Sequence, residues 1–248
     1  MRELILAIII SFSSHILAQN QTVEDDFEGN GTITNWFGDN CNINTNQTNL
    51  YADSNNNSAT VLKYDDVGGT YSNVRFEINN TFNLLSDYVF TFKIYVPSSG
   101  LTGSQTNQVS LKLQDGSLNE PWSTQSEILK PIILDQWQTI SFDFLNDNYI
   151  NLDQNSQPPS QRTDFNRVII QVNGENNNDL VLAYIDDFYY NGTIAVDPIY
   201  DTLIWSDDFE GEGAIDSSKW YHQTLLPNGS SWYNNEIQHY TDRIDNSN

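Results

Sequence analysis

Between Asp87 and Val96 the chain reads DYVFTFKIYV, with Phe90, Phe92, Ile94 and Val96 on one side and Thr91, Lys93 and Tyr95 on the other. Apolar residues at every second position mark a strand with one face buried, because successive side chains of a strand point to opposite faces. The same alternation places Val74, Phe76 and Ile78 inward in 73–78, and Val109, Leu111 and Leu113 inward in 108–114. It places Ile140, Phe142 and Phe144 inward in 137–144, and Val168, Ile170 and Val172 inward in 167–173. Further strands are predicted over 59–64 and 181–190. No convincing apolar stripe of helical period occurs after the first eighteen residues. Seven or eight strands separated by Asn, Gly, Ser and Asp loops predict an all-β fold, an antiparallel β-sandwich or jelly roll.

The ends of the chain have a different pattern. Arg2, an apolar run from Leu4 to Phe12, and small or polar residues up to Ala18 have the layout of a signal peptide, 1–18, which predicts a secreted or cell-surface protein of bacterial type. The run is too short to span a bilayer, and no later stretch approaches that length, so no membrane span is expected. DDFEGNGTI at 25–33 returns as DDFEGEGAI at 207–215, identical at seven of nine positions. This repeat predicts two units of related architecture that open with the same edge strand and turn. The first is expected over 21–192. A linker with Pro198 follows over 193–202, and 203–248 is the start of a second, incomplete jelly roll.

Composition narrows the partners. Ten Lys and Arg face 33 Asp and Glu, a formal charge of −23. Phosphate recognition needs clustered cations, so nucleic acid is excluded as a partner, and sulfated glycans are disfavoured. The single cysteine, Cys41, rules out an intrachain disulfide and a Cys-rich metal site. His222 and His239 have no ligand-like spacing, so a transition-metal site is unsupported. Thirty-two Asn residues suit turns and loops, while 12% aromatic content is too high for a disordered acidic chain.

Trp205-Ser-Asp-Asp-Phe-Glu210, Ser218-Lys219-Trp220 and Trp232-Tyr-Asn-Asn-Glu-Ile-Gln-His-Tyr-Thr241, in that order, resemble the N-terminus of glycoside hydrolase family 16. Within that family they look most like the laminarinases, which are endo-β-1,3-glucanases. The resemblance covers about 46 residues and implies that Trp232, Asn235 and Glu236 lie at the rim of a substrate cleft. The first unit, from DDFEG to YIDDFYYNG, resembles the β-sandwich carbohydrate-binding modules that accompany such hydrolases. That implies a neutral polysaccharide partner, a β-glucan first, bound by a monomer.

The catalytic strand of the hydrolase family, Glu-x-Asp-x-x-Glu or Glu-x-Asp-x-Glu, is absent from 203–248. A retaining glycosidase needs two carboxylates about 5–5.5 Å apart. Glu24 to Glu28 matches the shorter pattern literally. It stands in the wrong unit, however, and its second copy has Ser206 where Glu24 stands. The chain itself is therefore expected to be inactive. A binding module or surface adhesin without catalysis is the competing reading.

Aromatics in turn-rich stretches are the candidate sugar platforms: Trp36 in NWFGDN, Tyr71 in GGTYSN and Trp122 in NEPWST. Trp137 opens a predicted core strand and is expected to be structural. Arg75, Lys93 and Lys112 fall at outward strand positions, where solvation is favoured over a role in a polar groove. Asp25, Asp26 and Glu28 open the first unit, and Asp186 and Asp187 lie in its last strand. First and last strands of a jelly roll often lie side by side. Carboxylates meeting there would suit Ca²⁺, a cation that takes six to eight oxygens, and modules of this resemblance often hold one structurally. The alternative is a solvated acidic edge that discourages strand pairing.

Overall fold

The computed structural model of the chain describes residues 22–192 and Ser218. The chain divides into two compact units, Met1–Pro198 and Ile199–Asn248, and the architecture below is that of the first. Its strands in chain order are β1 (Val23–Asp25), β2 (Phe37–Asp39), β3 (Cys41–Thr48), β4 (Thr60–Asp66), β5 (Asn73–Glu77), β6 (Val89–Tyr95), β7 (Gln108–Gln114), β8 (Ser126–Pro131), β9 (Gln138–Asp143), β10 (Ile150–Asn151), β11 (Arg167–Val172) and β12 (Leu182–Tyr190). Every strand pairing among them is antiparallel. The first sheet has the order β3-β4-β12-β6-β9, with β1 also beside β12, and the second has the order β10-β8-β7-β11-β5-β2. Three short 3-10 turns are the only helical elements among the described residues. The fold is an all-β sandwich.

The alternation in the sequence determines which faces meet. Phe90, Phe92, Ile94, Phe142, Phe144, Val74, Phe76, Leu111, Leu113, Val168 and Ile170 are all fully buried in one core between the sheets. The core is rich in rings that meet edge to face, such as Phe76 against Phe188 at 4.9 Å and Phe82 against Tyr190 at 5.1 Å. Such pairs add to the area they bury through their complementary edges and faces.

Trp36 belongs to this core, which corrects its assignment as a loop platform. It is only 8% exposed, packs on Phe76 at 4.8 Å, and its Nε1 donates to Asp25 Oδ2 at 2.8 Å. Its neighbours in sequence are turn-like, but it sits just before β2, where the chain enters the second sheet. The chain then crosses to the first sheet through Gly38, Asp39 and Asn40. A Cβ at Gly38 would collide with the Cys41 carbonyl, and Asn40 adopts φ 48°. Glycine is needed at that close approach, and Asn is among the residues that tolerate the left-handed region.

The two outer faces differ. On the first sheet the segment around Tyr51 folds over the outward residues Val61, Tyr95 and Tyr184 and joins Trp137 in a second aromatic cluster. Tyr51 stacks on Tyr95 at 4.2 Å, and Trp137 Nε1 donates to the Tyr51 carbonyl at 3.0 Å. On the second sheet, the outward residues of β5, β7 and β11 are polar except Ile169, and several of them form the floor of a cleft.

Candidate functional site

The cleft has a volume of about 520 Å³. Strand register arranges its floor in cross-strand rows. Ile169 of β11 lies between Arg75 of β5 and Lys112 of β7, and Lys112 pairs across with Glu127 of β8. In the next row Arg167 lies between Glu77 and Gln114. Arg75 and Lys112 thus belong to a polar groove, whereas the sequence favoured plain solvation. Lys93 lies on the first sheet, where it pairs with Asp187 at 2.7 Å.

Each floor cation is held by carboxylates. Arg75 pairs with Asp39 at 2.8 Å and Glu77 at 3.0 Å, and Arg167 shares Glu77 at 2.7 Å. Lys112, almost wholly buried, pairs with Glu127 at 3.6 Å and with Glu175. Three cations are thus matched by four carboxylates, so the floor carries no surplus positive charge for an anionic ligand. It instead presents fixed donors and acceptors, which suits hydroxyl groups.

Tyr71 and Trp122 line this cleft and are 53% and 52% exposed. Tyr71 lies in the turn before β5 and reaches Asn176 Oδ1 with its hydroxyl at 3.1 Å. Trp122 lies in the 3-10 turn Pro121–Thr124. An aromatic face left half exposed on a fixed turn is a platform for the C–H face of a sugar ring. The structure brings these two candidates to one site. Leu152, Gln125 and Arg167 also line it and were not singled out from the sequence. Leu152 stands in a polar loop, and the others are ordinary outward residues until the register aligns them. Trp232, Asn235 and Glu236 lie outside the described residues.

A larger depression of about 950 Å³ runs along β1 and β3. Its aromatic lining residues, Phe27 and Trp36, are buried and packed, so it offers no ring face to a sugar.

The five acidic candidates are placed apart by their partners. β1 and β12 do pair, with Asp25 opposite Phe188. Asp25 accepts from Trp36 Nε1 and from the Phe27 amide, Asp26 accepts from the Glu28 amide, and Asp187 pairs with Lys93. Among the described residues no group of three or more Asp, Glu, His or Cys has the geometry to hold a metal ion. Five carboxylates converging on one cation is therefore not what the fold builds. Glu28 and Asp186 instead grip the segment 56–60. Glu28 Oε1 accepts from the amides of Ala59 at 2.7 Å and Thr60 at 2.9 Å, while Asp186 Oδ2 accepts from Asn56 Nδ2 at 2.7 Å. Asp186 is fully buried, and no Lys or Arg pairs with it among the described residues. Desolvation pushes its carboxyl up to about 6, against the opposing hydrogen bond from Asn56.

Residues 19–151 match the family described as "Carbohydrate binding domain". The chain belongs to that family. The match ends at β10, and the two remaining strands of this carbohydrate-binding domain, β11 and β12, complete its sheets. No curated protein matches. Solved structures similar to the domain include the C-terminal family 22 carbohydrate-binding module of Clostridium thermocellum Xyn10B. It is 17% identical, covers 70% of this chain and 94% of that one, and has a TM-score of 0.41. The family 11 carbohydrate-binding module of the cellulosomal cellulase Lic26A-Cel5E of the same organism is 15% identical, covers 70% and 95%, and has a TM-score of 0.45. At these scores the two likenesses carry no argument about ligand. The glycoside hydrolase family 16 resemblance over 203–248 lies outside the described residues, and the comparisons give it no support.

Proposed function

We propose that the chain is a secreted or surface-borne glycan-binding module, acting as a monomer, whose ligand is a neutral polysaccharide and first of all a β-glucan. The observation that carries this is the pairing of two half-exposed rings, Tyr71 and Trp122, with a floor whose cations are all matched by carboxylates. Affinity electrophoresis of the full chain in laminarin, agarose and xyloglucan gels tests it. Retardation in laminarin that is lost in Trp122→Ala and Tyr71→Ala supports the reading. Unretarded migration in all three gels removes it.

The motifs of 203–248 favour a parent protein that degrades β-1,3-glucan, with this module delivering it to the substrate. A coding sequence that continues past Asn248 into a Glu-x-Asp-x-x-Glu or Glu-x-Asp-x-Glu strand supports that parent. A continuation without it leaves a binding module alone, and a glycan array of neutral glucans with no signal leaves an adhesin.

The calcium proposal narrows to Glu28 and Asp186. Asp186 is fully buried with no Lys or Arg paired to it among the described residues, and Glu28 is bonded to the same segment, 56–60, so these two are the carboxylates to test. Native mass measurement before and after EDTA, with melting temperature, checks it. An unchanged mass and melt refute it.

A further inference from the structure

Past the two ion-paired rows the sheet has a third polar row, of which only Asn73 lines the cleft. Gln171 of β11 is directly opposite Ser110 of β7, and on the other side the β11–β5 pairing ends at Ile170–Val74, with Asn73 the next residue of β5. Ser110 and Gln171 are 2% and 1% exposed. Asn73 Oδ1, Gln171 Oε1 and Ser110 Oγ have no hydrogen-bond partner among the described residues, and neither does Asn173 Oδ1 just past the end of β11. Buried side-chain oxygens are usually satisfied, and leaving one unsatisfied costs stability. Three in one row, on strands about 4.8 Å apart, point to a function that uses them.

The loop between β11 and β12 folds back over this end of the sheet, since Glu175 reaches Lys112, one row nearer the cleft than Ser110. Asn173, Gly174 and Asn176 of this loop have φ of 64°, 87° and 62°. Two side-chain contacts tie its tip to the cleft, Glu175 to Lys112 and the Tyr71 hydroxyl to Asn176 Oδ1, beside a backbone bond from the Asn176 amide to the Thr70 carbonyl at 3.0 Å. Both contacts end on groups of the glycan site. Lys112 has a second carboxylate, Glu127, at 3.6 Å, so its buried ammonium keeps a partner when Glu175 leaves. The Tyr71 ring is the platform a sugar would occupy.

We infer that the glycan cleft extends beneath the β11–β12 loop, where Asn73, Gln171 and Ser110 accept hydrogen bonds from hydroxyls of a further sugar unit once the loop tip swings aside. This rests on the glycan-binding reading above. The Glu175–Lys112 contact is then a latch, and long ligands release it while short ones do not need to.

Calorimetric titration of the full chain with short and long laminari-oligosaccharides tests the extension, using wild type, Ser110→Ala, Gln171→Met and Glu175→Gln. Each acceptor lost should weaken long oligosaccharides about three- to tenfold, the value of one net hydrogen bond, and leave short ones unchanged. Glu175→Gln should tighten the long ones, because a latched-shut site lowers apparent affinity by the open fraction. The Gln171 side-chain amide signal of the wild-type protein should shift on saturation with the long oligosaccharide, a readout that does not depend on how a variant folds. Equal affinities at every length in variants with wild-type melting temperature, or a stationary Gln171 signal, would show that the row holds water only. That result overturns the extension and leaves the cleft standing, whereas a wild type that binds no oligosaccharide overturns both.

Discussion

In EDTA, Asp186→Asn should gain stability relative to wild type as the pH rises from about 4 to about 6. Asp186 is fully buried and unpaired by any described cation, and its carboxyl is raised from 3.8 to about 6, chiefly by desolvation. A raised carboxyl binds its proton more tightly folded than unfolded. Stability from this group is therefore complete below about pH 4 and falls as pH rises to about 6. The difference of about two pH units corresponds to about 3 kcal/mol at 1.36 kcal/mol per unit. Asn carries no charge at any pH; it offers one acceptor where Asp186 accepts from both Asn56 Nδ2 and the Asp187 amide, a cost that is the same at every pH and leaves the slope untouched. Urea unfolding of both proteins in EDTA, from pH 3.5 to pH 7.5, isolates the effect because every other titrating group is common to the two. The stability of the Asp186→Asn variant relative to wild type should rise by about 3 kcal/mol across pH 4–6 and then level off. A difference that stays flat with pH, or falls, would refute the desolvation argument. Saturating Ca²⁺ should stabilise wild type more than the variant if the ion sits at Glu28 and Asp186.

Other outcomes follow from the same geometry. Trp36→Phe should cost about 1–3 kcal/mol in denaturant unfolding, because Asp25 then loses a buried donor while most of the ring packing is kept. Purified protein should release no reducing sugar from laminarin, and Glu28→Gln should change nothing in that assay, since Glu28 is engaged with the amides of Ala59 and Thr60. A fragment of residues 19–195 should melt in one cooperative step, because both sheets close between Val23 and Tyr190. A broad, non-cooperative melt would contradict that.

The sandwich was legible wherever one strand face is apolar and the other polar, as in 87–96 and 108–114, because the core selects that period directly. β3 escaped notice, since CNINTNQT is an edge strand with little buried side chain. β10 has two residues, and β8, SEILKP, buries a serine and one isoleucine and leaves Leu129 exposed, so neither leaves a clear alternation. The adjacency of first and last strands is legible in the sequence and holds for β1 and β12, but the partners of their carboxylates are not. Backbone amides, Trp36 and Lys93 claim them one by one, and these partners are distant in sequence or not acidic. Tyr71 and Trp122 were found because an aromatic in a Gly- or Pro-containing turn has few ways to be buried. Trp36 looked alike in its own segment, and only the crossing of the chain between sheets buries it. The polar floor was hidden for a different reason. Arg75, Lys112 and Gln171 are separated widely in sequence, and only strand register sets them side by side.

The central claim is that the Tyr71–Trp122 cleft binds a neutral glucan. Isothermal titration of laminarin into the full chain, alongside Tyr71→Ala and Trp122→Ala, tests it most directly. Saturable heat with the wild type, weakened by an order of magnitude or more in each variant with melting temperature preserved, is the expected result. Binding that survives both substitutions, or no binding to laminarin or any other neutral glucan, would contradict it.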